Sequence, residues 1–369
     1  MYGRLLKLIP GISISVLIAL IGIYLSRYVG NNIMGLDKSP ISPIILSIAI
    51  GLLIGNTFDL PKFFVSGVDF SIKFILRFGI VCLGIRLGIL DIFEIGLLSI
   101  PLILACLIIA IIIVNILAKI FNIPPKMGAL IAVGTSICGA SAIVAASPSM
   151  RANKEEVTYA IANITIFGII AMLLYPFLAH YLFTGNELAV GLFLGTSIHE
   201  TAQVAGAGLI YAEHYGAPKV MDVATVVKLV RNTSMIVIIP AIGFFYMKKH
   251  LARESGESGN KVSIFSMFPL FILGFILMGA IRTVGDYGVK ETQIALMMFN
   301  PLDWDQIIAT IKMCAEYSLA IAMAAVGLSA NIVSLKKLGI KPFYVGFAAA
   351  LCVGLVSYFG ITFLTLNNL

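Results

Sequence analysis

His199 and Glu200 stand side by side in GTSIHETAQVAGAG (195–208), within sequence so apolar that neither serves solubility. An imidazole titrating near about 6.5 beside a carboxyl titrating near about 4.3 can take up and release a proton. Gln203 follows His199 by four residues and Glu200 by three, which puts all three on one side of a helix. Ionisable groups inside a membrane are costly and usually line a pathway or a site. His199 and Glu200 are therefore candidates for carrying a coupled proton. A hydrogen-bonded cluster that locks two helices is the plainer reading of the same residues. Zinc fits poorly, because HETAQ lacks the second histidine of HExxH.

The signature occurs twice. GTSICGASAIVAAS (134–147) is a near-copy of 195–208. Gly134, Thr135, Ser136, Cys138, Gly139, Ala140, Ser141 and Pro148 make a poor lipid-facing helix. Glycine lets a helix unwind where neighbouring protein satisfies the backbone. The half-helix that resumes presents amide donors and the positive end of its dipole, an arrangement suited to an anion. Thr135, Ser136, Cys138 and Ser141 are candidate substrate contacts, with Thr196, Ser197 and Gln203 from the second copy. Tight helix packing alone would also account for the small residues.

Cations recur at depth: Lys73, Arg77, Lys228, Arg231 and Lys312. Asp69, four before Lys73, and Glu316, four after Lys312, are expected local partners. Arg77, Lys228 and Arg231 have none nearby in sequence. An arginine can grip an oxyanion through two parallel bonds, so Arg77 and Arg231 join the candidate contacts, with Asn232 beside Arg231. For Lys73 and Lys228, snorkelling of the ammonium to the interface is an equal alternative.

Helices must position these groups. The chain has 369 residues, 60% of them hydrophobic and 12% charged; its mean hydropathy is +1.04. A hydrocarbon core of about 30 Å takes roughly 20 helical residues to cross. By that measure about eleven spans are expected, near 8–26, 41–57, 65–89, 95–118, 127–149, 157–183, 187–212, 222–247, 264–283, 304–331 and 341–366. The expected fold class is all-α, a polytopic transmembrane helix bundle. These runs are too long for the strands of a membrane barrel. The N-terminal run has the basic-then-apolar form of a signal peptide without a clear cleavage site, and reads as a retained first helix.

The expected organisation is a single transmembrane domain, 1–369, with approximate halves 1–184 and 185–369 and a polar linker at 247–261. Trp304, between Asp303 and Asp305, reads as an interfacial anchor. GIRLGILDIFEIG (84–96) and GLSANIVSLKKLG (327–339) resemble each other at the ends of helices that cross in opposite directions, as in an inverted repeat, although two unrelated glycine-ended helices would look alike. The two GTSI segments run the same way on an eleven-span count, a conflict the sequence leaves open.

The net charge of +7 follows from topology. With the N-terminus in the cytoplasm, inside loops hold Arg4, Lys7, Lys62, Lys119, Lys126, Lys248, Lys249, Arg253, Lys261, Lys336, Lys337 and Lys341. Outside loops hold fewer: Arg27, Lys38, Arg151, Lys154, Lys219, Arg282 and Lys290. Basic residues spread over separate loops give no support to nucleic-acid binding. Cys82, Cys106, Cys138, Cys314 and Cys352 all fall in expected spans without metal-ligand spacing, so neither a metal nor a disulfide framework is indicated.

GTSICGASAIVAASP, GTSIHETAQVAGAG, LRFGIVCLGIRLGILDIFEIG and AMAAVGLSANIVSLKKLGIKP resemble, in order, the hallmark segments of the sulfate-exporter (YeiH-like) family of bacterial inner-membrane proteins. The resemblance runs from about the second helix to the C-terminus. It implies a fold similar to bile-acid symporters and sodium/proton antiporters, with inverted five-helix repeats and broken crossing helices. It also implies a plasma-membrane location and export of sulfate or a related anion.

The expected function is secondary transport of a small anion, sulfate or sulfonate-like, by alternating access, with a proton carried by His199 and Glu200. GxxxxGK[ST] is absent, so no nucleotide-driven pump is implied, and no cofactor is called for. Expected partners are the anion, the lipid bilayer, and a coupling proton or sodium ion; small-residue faces also leave room for a homodimer. A sodium/proton-type cation antiporter is one alternative. An intramembrane enzyme is the other, with Ser136 as nucleophile and His199 as base, since Ser197 lies too close in sequence to share a helix side with His199.

Overall fold

In the computed structural model the described residues are 6–29, 32, 42–58, 60–148, 150, 152–239, 241, 270–330 and 340–366. Those in regular structure are helical, and six helices are long and apolar enough to cross a membrane by length and composition. The polar linker 247–261 and most of the 327–339 repeat lie outside the described residues.

Helices lie on each of the expected spans, but several spans are divided into shorter helices and some ends are displaced. They are α1 (Ile9–Tyr28), α2 (Pro43–Thr57), α3 (Lys62–Phe70), α4 (Leu76–Leu83), α5 (Ile89–Ile120), α6 (Pro125–Ser136), α7 (Ala140–Ala146), α8 (Lys154–Phe183), α9 (Glu187–Ser197), α10 (Thr201–Tyr215), α11 (Pro218–Thr233), α12 (Phe271–Thr292), α13 (Pro301–Ser329) and α14 (Ile340–Leu366). A π-helical turn, Ser71–Ile75, joins α3 to α4, and a 3-10 turn, Gly84–Arg86, ends α4.

Local chemistry sets the helix starts. Asn153 accepts from the Glu156 amide while the Glu156 side chain returns to the Asn153 amide, a complete capping box before α8. Asn186 caps α9 through the Ala189 amide at 3.1 Å, and Asn300 caps α13 through Asp303 at 2.8 Å. Pro at the first position of α2, α6 and α13 removes an amide that would have no helical partner.

The chain packs as two compact units, each discontinuous in sequence. The first comprises Met1–Leu97, Ala205–Asp222 and Leu270–Asn331. Glycines let its helices touch backbone to backbone. A Cβ on Gly51 would fall 2.5 Å from the Ala324 carbonyl, and one on Gly327 2.5 Å from that of Ile48, so α2 and α13 tolerate nothing larger. Gly11 and Gly67 do the same for α1 and α3. Trp304 is buried, donates to Asp286 at 2.9 Å and lies flush against Gly285. That is a packed position inside the unit, and the hydrogen bond satisfies the indole that burial would otherwise strand.

The second unit comprises Leu98–Val204, Val223–Pro269 and Ile332–Leu369. Its core gathers α6, α7 and α8 with the apolar residues around Met235 and Val345. The first GTSI segment falls wholly in it, and the second does as far as Val204. The first is interrupted at Ile137–Gly139, where Ile137 leaves helical geometry and Gly139 takes φ +67°. The interruption is a sharp fold. A straight helix would put residues 134 and 143 about 13.5 Å apart, yet Ile143 packs its side chain on Gly134. The second is interrupted at Ile198–Glu200, between α9 and α10.

Candidate functional site

An interrupted helix leaves its last carbonyls without intrahelical donors. Here two such ends, those of α6 and α9, are served by one helix, α11. Lys228 donates to the carbonyls of Ile137 (3.1 Å), Ile198 (2.9 Å) and His199. Arg231 donates through Nε to Ser136 (2.9 Å), through Nη1 to Thr196 (2.5 Å) and through Nη2 to Thr135 (2.5 Å). Both side chains are fully buried. Their spacing of three residues puts them on one face of α11, and each bridges the first GTSI segment to the second. A positive charge at a helix C-terminus is favoured by the dipole, and burial strengthens the effect.

These cations had been expected to await an anion. Lys228 instead has all three ammonium donors engaged by carbonyls, and Arg231 has three of its five N–H groups so engaged. The lysine is thus neither a snorkelling side chain nor a free ligand, because a buried ammonium must be hydrogen-bonded where it lies.

The restart of each helix lies close by. Gly139, the residue before α7, is in contact with Glu200, the residue before α10: a Cβ at Gly139 would be 3.3 Å from that of Glu200. The Glu200 carbonyl accepts from the Val204 amide, the fourth of α10, at 3.0 Å. Asn232 donates to the hydroxyl of Thr201, the first residue of α10, at 3.0 Å. Around this junction Thr135 Oγ1, His199 Nδ1 and Asn232 Oδ1 are buried without a hydrogen-bond partner. Buried polar atoms are seldom left so. These orphans mark a place where a ligand or water belongs.

The other candidates divide. Ser136 and Ser197 turn their hydroxyls back onto Ala132 and Phe193 of their own helices, and Thr196 binds both Leu192 and Ser357. Cys138 is buried with Sγ 3.2 Å from Met235 Sδ. Gln203 donates to the Thr165 carbonyl at 3.0 Å and so ties α10 to α8. Ser141 is exposed on α7. Arg77 belongs to the first unit, where it is exposed and lies over the Phe271 ring at 5.7 Å. Exposure there lets the guanidinium stack on an aromatic face rather than bind in a buried site.

Sequence reading missed a polar cluster in the first unit. Arg86 pairs with Asp222 at 2.5 Å, both side chains 10% exposed, and reaches Glu316 at 3.7 Å. Glu316 thus pairs with Arg86, on the 3-10 turn, and also feels the charge of Lys312 on its own helix, the partner that the sequence spacing predicts. Ser42 donates to Glu213 at 2.5 Å. Arg86 and Asp222 are 136 residues apart, so no local spacing could have signalled them. The one available hint was that both are charged residues inside apolar sequence. Among the described residues no group of three or more His, Cys, Asp or Glu is gathered to hold a metal.

The family model described as "Conserved hypothetical protein 698" matches residues 10–346. A UPF0324 membrane protein of Fusobacterium nucleatum is 34% identical over 323 residues, 86% of this chain and 88% of its own length. One of Streptococcus agalactiae is 30% identical over 325 residues, covering 88% and 91%. One of Bacillus anthracis is 31% identical over 352 residues, covering 94% and 92%. With these relatives and its apolar helices, the chain is a multi-pass membrane protein.

Proposed function

We propose that this chain, which belongs to the conserved hypothetical protein 698 (UPF0324 membrane protein) family, is a secondary transporter of a small anion that binds at the paired helix breaks. The observation that carries the reading is a charge count. Two buried cations, Lys228 and Arg231, meet one carboxylate, Glu200, at the junction. The C-terminal dipoles of α6 and α9 are opposed by the positive helix starts beside Gly139 and Glu200, so the fixed charges leave an excess of about one positive charge. A monoanion such as a sulfonate balances that excess, and sulfate, a dianion, balances the two cations when Glu200 is neutral. Alternating access would expose the junction to each side in turn, with His199 and Glu200 as the proton-coupling pair. We place the protein in the bacterial plasma membrane with its N-terminus inside, from the distribution of basic loops.

The cation-antiporter alternative asks for excess negative charge at the break, opposite to this count. The hydrolase alternative asks for a free nucleophile, and Ser136 donates to a carbonyl of its own helix. The deciding experiment is flux in proteoliposomes holding the purified protein. Uptake of labelled sulfate or methanesulfonate that follows an imposed pH gradient is expected. Sodium-dependent proton movement with no anion flux would overturn the reading in favour of the antiporter.

A further inference from the structure

Helix α10 is 15 residues long, and it begins inside the protein beside two unpartnered polar atoms, those of His199 and Asn232. Its first amides lack carbonyl partners of their own, and they carry the positive end of its dipole. Asn232, only 3% exposed, holds the Thr201 hydroxyl with one amide atom and leaves the other open. His199, 2% exposed, leaves Nδ1 open on the adjoining residue. Lys228 has no donor to spare. An anion arriving here therefore meets the start of α10 and the open ring nitrogen of His199, while the open Asn232 oxygen, which only accepts, suits a protonated carboxyl or a water.

One anion is already attached at that place. Glu200 occupies the position immediately before α10, with its carbonyl already in the helix, and its side chain is partly exposed. The groups facing it are Lys228 on α11 and Cys138 in the turn between α6 and α7, with His199 beside it and Arg231 one turn beyond Lys228. Each of these cations is bound to carbonyls, so neither forms a closed ion pair that would hold Glu200 permanently ionised.

We propose that Glu200 is a tethered competitor of the transported anion. Ionised, its carboxylate holds the positive start of α10. Protonated, it yields that place, so each anion that binds brings one proton from water onto Glu200. Two like charges about 4 Å apart at an effective dielectric of about 20 disfavour each other roughly a thousandfold, so carboxylate and substrate exclude one another. The inference rests on the anion-transport reading, adds its stoichiometry, and narrows the proton-coupling pair to Glu200 alone, so that a pH slope persisting in Glu200→Gln would pass the role to His199. It makes the exchange strict: a carboxylate that must be neutral for the anion to stay cannot release its proton until the anion leaves.

The test uses the purified full-length protein, with sulfate and methanesulfonate as probes and thermal stabilisation as the measure of binding. Both probes keep their charge between about pH 5 and about pH 8. Above the titration of Glu200, apparent affinity in the wild type should fall tenfold per pH unit. In Glu200→Gln it should be the same at every pH and equal to the wild-type acid limit. Adding sulfate to weakly buffered wild-type protein should take up one proton per anion, and none in the variant. A flat wild-type profile, or a slope that survives in Glu200→Gln, overturns the proposal while anion binding itself stands. If the variant does not fold, the wild-type slope and proton uptake decide alone. Absence of binding by either probe at any pH overturns the anion reading, and this inference with it.

Discussion

The carboxamide of Gln203 rests directly on the α-carbon of Gly168: a Cβ there would fall 1.8 Å from Oε1. Because Nε2 donates to a carbonyl, that of Thr165, the oxygen must be the atom facing the glycine. Asn163 repeats the arrangement, donating to Pro342 at 2.7 Å with its oxygen over Gly346. The oxygens left without N–H or O–H partners thus lie against glycine C–H groups, a weak but recurrent contact at helix interfaces. Gly168→Ala should push Gln203 off its seat and cost about 1–3 kcal/mol by overpacking. A fall in the thermal midpoint of the purified variant would show it; an unchanged midpoint would mean the seat is loose.

Lys228 and Arg231 are expected to act first on folding. Removing either strands three carbonyls, and a hydrogen bond to a charged group is worth about 1.5–3 kcal/mol. Lys228→Met and Arg231→Met should both lower the thermal midpoint sharply. Arg231→Lys should not restore it, because an ammonium cannot reproduce a fork that spans Thr135, Ser136 and Thr196. A variant of either residue that keeps wild-type stability but loses anion binding would return these cations to the role of direct ligands.

The Arg86–Asp222 pair gives a sharper contrast. Its side chains are 10% exposed, whereas the similarly short Arg282–Asp286 pair is 25% and 47% exposed. Breaking a buried pair from one side costs about 3–5 kcal/mol, since the remaining charge is left uncompensated. An exposed pair is worth about 0–1 kcal/mol. Asp222→Ala should therefore destabilise far more than Arg282→Ala in parallel melts. In a double-mutant cycle, Arg86→Met combined with Asp222→Ala should recover part of the loss. Equal effects of the two single variants would contradict the burial argument.

Much of the architecture was legible in the sequence because membrane helices announce themselves. A run of about 20 apolar residues has few alternatives in lipid, and α1, α5, α8, α12, α13 and α14 fall on such runs. The duplicated GTSI segments also marked the two places where helices are interrupted. Small residues and glycine permit unwinding, and Gly139 at φ +67° occupies a backbone region that a side chain would strain.

What partners the polar groups at those breaks was decided only by the tertiary structure. Lys228 and Arg231 looked unpaired because their partners are backbone carbonyls up to 96 residues away, and every residue has a carbonyl, so no residue type signals one. Gln203 shared a helical side with His199 and Glu200, yet its amide nitrogen turns to α8, a direction set by where that helix packs. Periodicity reports which face of a helix a side chain occupies. Which neighbour covers that face depends on contacts between segments far apart in the chain, and only the folded protein brings those together.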